Sequence, residues 1–275
     1  MMGKAAHSDQ LPSLTYKLFG NGDKTILAFH GFGHPKENFD IILPFLTGNE
    51  RIIAVDLFGH GEAYFPENRL KNNPISKQEW WNLIDVILKK ENVNRFSLMG
   101  YSLGGRMAMV TLEHFHTRVD RILLFSPDGL HKNLSYRLAN EIGIGRRLFR
   151  WGIRHAQKLH PVITFLHKTG LTPKSRTKFI LRQIEDPKKI EMARYVWGSL
   201  SLCWPDLQAI FKKLDPATPF VVVFGQHDPL IKPSYGRSLH PYMQSHIHQF
   251  IIPIGHRTIA KEGFEILMKK GYWPI

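Results

Sequence analysis

The sequence predicts an α/β fold, a mostly parallel central sheet flanked by helices, with an inserted helical lid. Short apolar runs typical of buried strands alternate along the chain with segments of helical periodicity, which favours parallel strands joined by helices. A glycine-rich turn, Gly100–Gly104, connects one of these runs to a helix. The alternation stops between residues 131 and 215, where only helical patterns occur. We therefore expect one core from residues 1–130 and 216–275, interrupted by a helical insertion.

Composition is that of a globular protein. The chain has 275 residues, of which 43% are hydrophobic, enough for one large core. Its single cysteine, Cys203, excludes an internal disulfide framework and suits a reducing compartment. The N-terminal segment lacks the apolar stretch of a signal peptide, and no run is long and apolar enough to span a membrane. These features predict a cytoplasmic protein. We expect it to be a monomer or a homodimer.

The predicted elements follow one another regularly on both sides of the insertion. The expected strands cover residues 14–19, 25–30, 51–55, 95–99, 121–125, 220–224 and 247–252. The expected helices outside the insertion cover residues 38–46, 76–91, 103–116, 234–243 and 258–270. Ligands of open α/β sheets bind beyond the carboxyl ends of the strands. An insertion that emerges at such an end would cover the site as a lid.

Ser102 is the candidate nucleophile. It is the central residue of a G-x-S-x-G match placed between a strand and a helix, where a sharp turn would present its hydroxyl. Gly100 and Gly104 remove side chains that would clash as the chain doubles back. The alternative is a glycine-rich connection that contains a serine by chance.

A serine needs a base to accept its proton and a carboxylate to orient that base. Asp228 follows the strand FVVVF, and His256 follows the strand that ends in FIIPI. The chain order serine, acid, histidine is the one expected for this motif. Since both residues follow strand ends, they can converge with Ser102 at one edge of the sheet. Asp128 also follows a strand and is the rival acid.

Acyl transfer further requires donors for a developing oxyanion. The backbone N–H of Leu103, directly after the nucleophile, is one candidate. The second is expected from the loop after the strand at residues 25–30, where Gly31 allows close approach and Phe32 supplies the N–H. Phe32 and Leu103 are therefore the predicted oxyanion hole.

Five sequence landmarks together resemble the α/β-hydrolase family over nearly the whole chain. They are HGFG at 30–33, DLFGHG at 56–61, GYSLGG at 100–105, GQHD at 225–228 and GH at 255–256. The resemblance implies a two-step acyl transfer by Ser102, His256 and Asp228 without a metal or organic cofactor. It also implies a structural role for the DLFGHG turn. A serine at the nucleophile position, where dehalogenases and epoxide hydrolases have aspartate, disfavours those two chemistries.

The expected substrate is a small acyl compound, a carboxylic ester or a thioester. The elbow is also similar to that of the menaquinone-pathway enzyme that eliminates pyruvate, whose arginine after the elbow matches Arg106. Carbon–carbon bond hydrolases of aromatic degradation share the layout. Tyr101 and Arg106, which flank the nucleophile, are thus the substrate-binding candidates, although Arg106 can also be read as a helix-surface residue. A non-catalytic binding protein of this fold is the third alternative.

Positive charge is concentrated in the insertion. The whole chain has a net charge of +14, and residues 131–215 contain 17 Lys and Arg against 6 Asp and Glu. At about 100° per residue, one predicted helix places five cations on one side: Arg146, Arg147, Arg150, Arg154 and Lys158. This side can face water, attract an anionic substrate, or make peripheral contact with an anionic membrane. No motif indicates nucleic-acid binding.

Overall fold

Seven strands form one sheet in the computed structural model, which describes residues 11–34, 36–131, 186–242, 246–275 and isolated positions between 151 and 169. Their order across the sheet is β1-β3-β2-β4-β5-β6-β7. The strands are β1 (Tyr16–Phe19), β2 (Lys24–Phe29), β3 (Glu50–Val55), β4 (Phe96–Tyr101), β5 (Val119–Phe125), β6 (Phe220–Gly225) and β7 (Ile247–Ile252). β1 pairs antiparallel with β3, and the other pairs are parallel. The predicted fold class is confirmed.

Helices cover both faces of this sheet. The α-helices of the described residues are α1 (Lys77–Lys90), α2 (Leu103–Phe115), α3 (Pro187–Leu200), α4 (Leu207–Lys213) and α5 (Lys261–Lys269). α1 begins at a reciprocal capping box that Ser76 and Glu79 form. No α-helix among the described residues combines the length and apolar character needed to cross a bilayer.

The core has one layer on each side of the sheet. On one face, alternate side chains of the strands pack against α1, α2, α3 and α4. On the other face, they pack against α5 and the segment Lys36–Phe45. This alternation follows from the two-residue period of a strand. It leaves the carboxyl ends of β2, β4, β6 and β7 at one edge, where the site lies.

Two predicted helices are 3₁₀ helices instead. The segments Lys36–Phe45 and Pro233–Tyr242 replace the helices expected at residues 38–46 and 234–243. Each contains an internal proline, Pro44 or Pro241. A proline lacks the N–H for the usual helical bond and clashes with the carbonyl four residues earlier, which favours short, tighter turns.

The C-terminal part of the predicted insertion consists of α3 and α4, packed on the core. Val196, Leu200 and Ile210 are each no more than 1% exposed. Tyr195 of α3 also bonds through its hydroxyl to the backbone of Phe65. The predicted basic helix lies outside the described residues, apart from isolated positions that include the exposed Lys158. Its role and the boundaries of the lid stay predictions.

Candidate active site

Ser102 occupies the sharp turn between β4 and α2, with φ of 52° and ψ of −117°. A positive φ is uncommon for a residue with a side chain and persists only where surrounding contacts hold it. Here the Ser102 N–H donates to the carbonyl of Phe125 at 3.0 Å. The Ser102 carbonyl accepts from the N–H groups of Gly105 and Asp128, each at 2.9 Å. The turn is therefore fixed through its backbone, which leaves the hydroxyl available.

The glycines on either side of Ser102 are required by close backbone approaches. A Cβ on Gly100 would lie 2.5 Å from the carbonyl oxygen of Gly104. A Cβ on Gly104 would lie 2.0 Å from the carbonyl oxygen of Phe29. The first contact folds α2 back onto β4, and the second seats the start of α2 against the end of β2. The G-x-S-x-G spacing thus has a local steric cause.

Ser102, His256 and Asp228 lie within hydrogen-bonding distance of one another in series. The Oγ of Ser102 is 3.0 Å from Nε2 of His256, and Nδ1 of His256 is 2.7 Å from Oδ2 of Asp228. A carboxylate only accepts hydrogen bonds, so Nδ1 carries the imidazole proton and Nε2 accepts from the serine hydroxyl. This arrangement leaves the Nε2 lone pair directed at the serine proton.

Asp228 is fixed by the backbone of its own loop. Its carboxylate is buried, and Oδ1 accepts hydrogen bonds from the N–H groups of Leu230 at 2.8 Å and Ile231 at 2.9 Å. These two bonds hold one oxygen and leave Oδ2 for His256. The loop itself is tied to the strand end, because the Asp228 N–H donates to the carbonyl of Gly225 at 3.2 Å.

The loop that bears His256 is anchored two residues later. The hydroxyl of Thr258 donates to Oγ of Ser126 at 3.1 Å, and both side chains are fully buried. The Thr258 N–H also donates to the carbonyl of His256 at 2.8 Å. Ser126 directly follows β5 and has a positive φ of 39°. This buried contact fixes the imidazole loop to the strand next to the nucleophile turn.

The loop after β2 lies against Ser102. A Cβ on Gly31 would lie 2.8 Å from the ring of Tyr101 and 3.3 Å from Cβ of Ser102. Phe32 follows directly, and its ring packs edge-on against Trp197 of α3 at 5.0 Å. Leu103 is the first residue of α2, so its N–H has no partner within the helix. Both predicted oxyanion-hole residues therefore border Ser102.

Two histidines hold this loop in place. His60 Nε2 accepts from the N–H of Gly33 at 2.8 Å, and His30 Nε2 accepts from the N–H of Leu57 at 3.0 Å. His30 Nδ1 donates to the carbonyl of Gly31 at 2.9 Å. Burial, and then the neighbouring His60, lowers the pKa of His30 to about 3, and burial also lowers the pKa of His60. Both rings are therefore neutral near pH 7 and can accept these bonds.

Asp56 has a structural position beneath the same loop. It is fully buried and accepts hydrogen bonds from the Thr15 hydroxyl at 3.0 Å and the Lys36 N–H at 3.2 Å. It also forms an ion pair with the Lys36 ammonium group. His30 Nε2 is 3.6 Å away, but that nitrogen accepts from Leu57 and is uncharged.

Tyr101 borders the candidate site. Its ring is buried, with centroids 5.4 Å from His256 and 5.6 Å from His34. Burial, and then the charge of Asp228, raises the pKa of its hydroxyl above the usual value. Tyr101 is therefore a neutral donor at physiological pH.

Arg106 is not a helix-surface residue, and that alternative is wrong. Its side chain is 2% exposed and lies against Trp204, in the segment between α3 and α4. The guanidinium lies 3.5 Å from the carboxylate of Asp128 and over the ring of Trp204 at 5.6 Å. The rival acid Asp128 thus faces Arg106, and it caps its own turn through the N–H of Gly129 at 2.8 Å.

The amino-acid sequence matches the model of a known protein family over most of its length. The model of the alpha/beta hydrolase fold family matches residues 24–259. The chain belongs to this family, as its sequence landmarks predicted.

Several proteins resemble the chain over part or all of its length. An uncharacterised protein of Mycobacterium tuberculosis is 31% identical over 127 residues, which are 46% of this chain and 36% of that protein. A Drosophila melanogaster protein named "Probable serine hydrolase" is 30% identical over 138 residues, which are 48% of this chain and 39% of that protein. The chain thus spans less than two fifths of the length of these curated relatives.

Two solved structures show the same fold at low sequence identity. A thermophilic esterase from Thermogutta terrifontis has a TM-score of 0.64 and 16% identity, covering 94% of this chain and 92% of its own. A meta-cleavage product hydrolase from Pseudomonas fluorescens has a TM-score of 0.58 and 19% identity, with the same coverage of 94% and 92%. At these identities the likeness concerns the fold alone.

Sequence reasoning missed the residues that support the site from behind. Thr258, His30 and the Gly33 N–H bond to His60 were not predicted to position anything. A threonine two residues after the candidate base, and histidines beside glycines at two strand ends, were the available signals. Neither pattern specifies its partner, because the partners are distant in sequence.

Proposed function

We propose that this protein is a serine hydrolase that cleaves a carboxylic ester or thioester through an acyl-enzyme intermediate. The proposal depends on one observation, the continuous hydrogen-bonded series from Ser102 Oγ to His256 to Asp228. Two features support it. Ser102 occupies a turn with a positive φ, and Nε2 of His256 lies 3.0 Å from its Oγ. The imidazole is also in the tautomer that can accept the serine proton.

The first step forms the acyl-enzyme. Ser102 Oγ attacks the carbonyl carbon while its proton passes to Nε2 of His256. The resulting tetrahedral oxyanion would accept hydrogen bonds from the Phe32 and Leu103 N–H groups. As the intermediate collapses, the bond to the leaving group breaks and His256 returns the proton to that group.

The second step releases the acyl group. Water enters, His256 removes its proton, and the hydroxide attacks the acyl carbon. Collapse of the second tetrahedral intermediate frees the carboxylic acid and restores the Ser102 hydroxyl. Throughout, Asp228 offsets the transient positive charge of the imidazolium and holds its orientation.

The need for rigid oxyanion donors explains why hydrogen bonds hold the loop that contains Phe32. A donor helps only if it is fixed where negative charge develops, and losing one donor typically lowers the rate about 10²- to 10³-fold. The bonds of His30 and His60 fix the loop on which Phe32 lies. The names of the Drosophila serine hydrolase and the Thermogutta esterase agree with this chemistry.

The test is hydrolysis of 4-nitrophenyl esters from acetate to dodecanoate, together with matched acyl thioesters. We expect Ser102→Ala to lower kcat about 10⁴-fold or more, because the nucleophile is lost. Ser234→Ala is the matched control, since Ser234 is exposed and no hydrogen bond links it to Ser102, His256 or Asp228. It should behave as the wild type. Equal hydrolysis by wild type and Ser102→Ala would contradict the proposal.

The second candidate is cleavage of a carbon–carbon bond with the same residues. The solved meta-cleavage product hydrolase shares the fold, although not at an identity that indicates its substrate. Turnover of a vinylogous 1,5-diketone, without turnover of any ester or thioester, would favour this candidate. Absence of both activities in a folded protein would favour a binding module.

A further inference from the structure

A recess opens beside the proposed nucleophile, on the side of Tyr101 that faces away from α2. Its lining includes His34, Tyr101 and Arg257, together with His30, Phe39 and Ile259. It adjoins the reacting groups directly, because the Tyr101 ring lies 5.4 Å from the ring of His256. Arg257 follows His256 in the chain. None of these features is used by the acyl-transfer steps above.

The polar groups of this recess are mainly donors. Tyr101 is protonated, and among the described residues its hydroxyl has no hydrogen-bond partner. Arg257 is exposed and has no carboxylate within 4.0 Å in the described part of the chain. The carboxylate that acts on Tyr101, Asp228, is already engaged by His256 and two backbone N–H groups.

Arg257 supplies the positive charge of the recess, and at Tyr101 it is opposed by the larger effect of Asp228. The charge of Arg257 acts on both Tyr101 and His34, and it lowers the pKa of His34 after the larger effect of burial. The described residues supply no acceptor for the Arg257 guanidinium or for the Tyr101 hydroxyl. Together these two groups can donate hydrogen bonds to an anion. A neutral acyl chain could contact the apolar part of the lining, but it would leave the Tyr101 hydroxyl without an acceptor.

The size of the recess limits what it can hold. Its empty volume is about 260 Å³ when its open mouth is counted. Much of this space belongs to the mouth, so the enclosed part is far smaller than the pockets of roughly 300–1,000 Å³ that hold a whole drug-sized ligand. The recess therefore suits one small group of a larger substrate rather than the entire molecule.

We propose that this recess binds a carboxylate of the substrate, through Arg257 and the Tyr101 hydroxyl, next to the bond that is cleaved. The inference rests on the proposed function and narrows its substrate class to esters or thioesters that carry a second, ionised carboxyl group. Arg257 and Tyr101 are then specificity-determining residues of the site.

The kinetic test compares matched esters with and without the charge. On the acyl side, mono-4-nitrophenyl adipate is paired with 4-nitrophenyl hexanoate; on the leaving-group side, 4-acetoxybenzoate is paired with phenyl acetate. In the wild type we expect a higher kcat/KM for the charged member of one pair. Arg257→Gln should reduce that preference about tenfold, the low end for a charge-assisted bond because Arg257 is exposed. Tyr101→Phe should reduce it by a smaller factor.

The control variants separate local binding from general charge. Arg257→Lys keeps a cation and should retain most of the preference. Arg237→Gln removes an exposed cation elsewhere and should leave the preference at the wild-type value. If the wild type shows no preference in either pair, or if Arg237→Gln reduces it as much as Arg257→Gln, the proposal is overturned.

A binding measurement keeps this proposal distinct from the catalytic one. Adipate binding to Ser102→Ala protein is followed by saturation-transfer NMR, which needs no turnover. If adipate binding weakens about tenfold in the Ser102→Ala, Arg257→Gln double variant, the result supports carboxylate binding in the recess, even if no ester is hydrolysed. Hydrolysis of neutral esters without any adipate binding would support the proposed hydrolase activity and contradict the proposed carboxylate site.

Discussion

Gly104→Ala tests whether the contact between α2 and β2 builds the site. The added Cβ would lie 2.0 Å from the carbonyl oxygen of Phe29, 2.4 Å from its carbonyl carbon and 2.6 Å from the oxygen of His30. All three atoms are backbone, and β2 is paired on both sides with β3 and β4. The strand end therefore cannot move aside as a flexible side chain would.

The expected size of the effect follows from two opposing contributions. Overpacking a well-packed core typically destabilises by about 1–3 kcal/mol, and contacts this short with fixed backbone lie at the upper end. The higher helix propensity of alanine returns about 1 kcal/mol. We expect a net loss of about 2 kcal/mol in the free energy of unfolding. Because α2 and the Gly31–Phe32 loop are pushed apart, we also expect kcat to fall about 10²-fold, as when one oxyanion donor is lost.

Urea denaturation and 4-nitrophenyl butyrate hydrolysis measure the two effects. Gly255→Ala is the steric control, since the space within 4 Å of the methyl group it would add is open and its φ is not left-handed. It should change the free energy of unfolding by less than about 0.5 kcal/mol. A Gly104→Ala protein as stable and as active as wild type would refute the steric argument for the elbow.

Three further predictions concern single groups. Asp228→Asn should lower kcat about 10³- to 10⁴-fold, measured at saturating ester, because the amide favours the wrong imidazole tautomer. Because the folded-state pKa values of His30 and His60 lie below the unfolded value near 6.5, the free energy of unfolding should fall as pH drops below 6.5, down to about pH 3 for His30. Denaturation in a pH series should show a slope up to about 1.4 kcal/mol per pH unit for each histidine; a flat series would contradict it. Cys203 is buried, and burial raises the pKa of its thiol to about 12, so a thiol-specific disulfide reagent should react only after unfolding.

The candidate site could be predicted from sequence because its residues lie at strand ends. In a parallel sheet, the carboxyl ends of the strands meet at one edge, so Ser102, Asp228 and His256 could be assigned from their places after three predicted strands. The chain order and the flanking glycines limited the choice among fifteen histidines. The landmark motifs extended the same assignment to the Phe32 loop.

The complete burial of the first ten residues of α2 could not be predicted from the hydrophobic periodicity of this helix. The spacing of Leu103, Met107 and Val110 places them on one side of the helix, yet every residue from Leu103 to Leu112 is buried. Besides the sheet, α2 contacts α1 and α4, and α4 is distant in sequence. Single-helix periodicity reports one packing face and says nothing of a second layer, which is why Arg106 was open to the surface interpretation.

The supporting hydrogen bonds were beyond sequence reasoning for a similar cause. Thr258 and Ser126 are 132 positions apart, and the Gly33–His60 bond depends on how two loops meet. A side-chain acceptor for a backbone N–H leaves no local signal, unlike the capping box of α1, whose partners are three residues apart. Local rules therefore suffice to recognise such a cap, but they leave these contacts unassigned.

Labelling by a fluorophosphonate probe tests the central claim that His256 activates Ser102. We predict one covalent adduct per chain, mapped by peptide mass spectrometry to Ser102 and absent in Ser102→Ala. In His256→Ala the labelling rate should fall about 10³-fold or more, since the serine loses its base. His240→Gln, at an exposed histidine, should label at the wild-type rate. No adduct in the folded protein, or an unchanged rate in His256→Ala, would contradict the account.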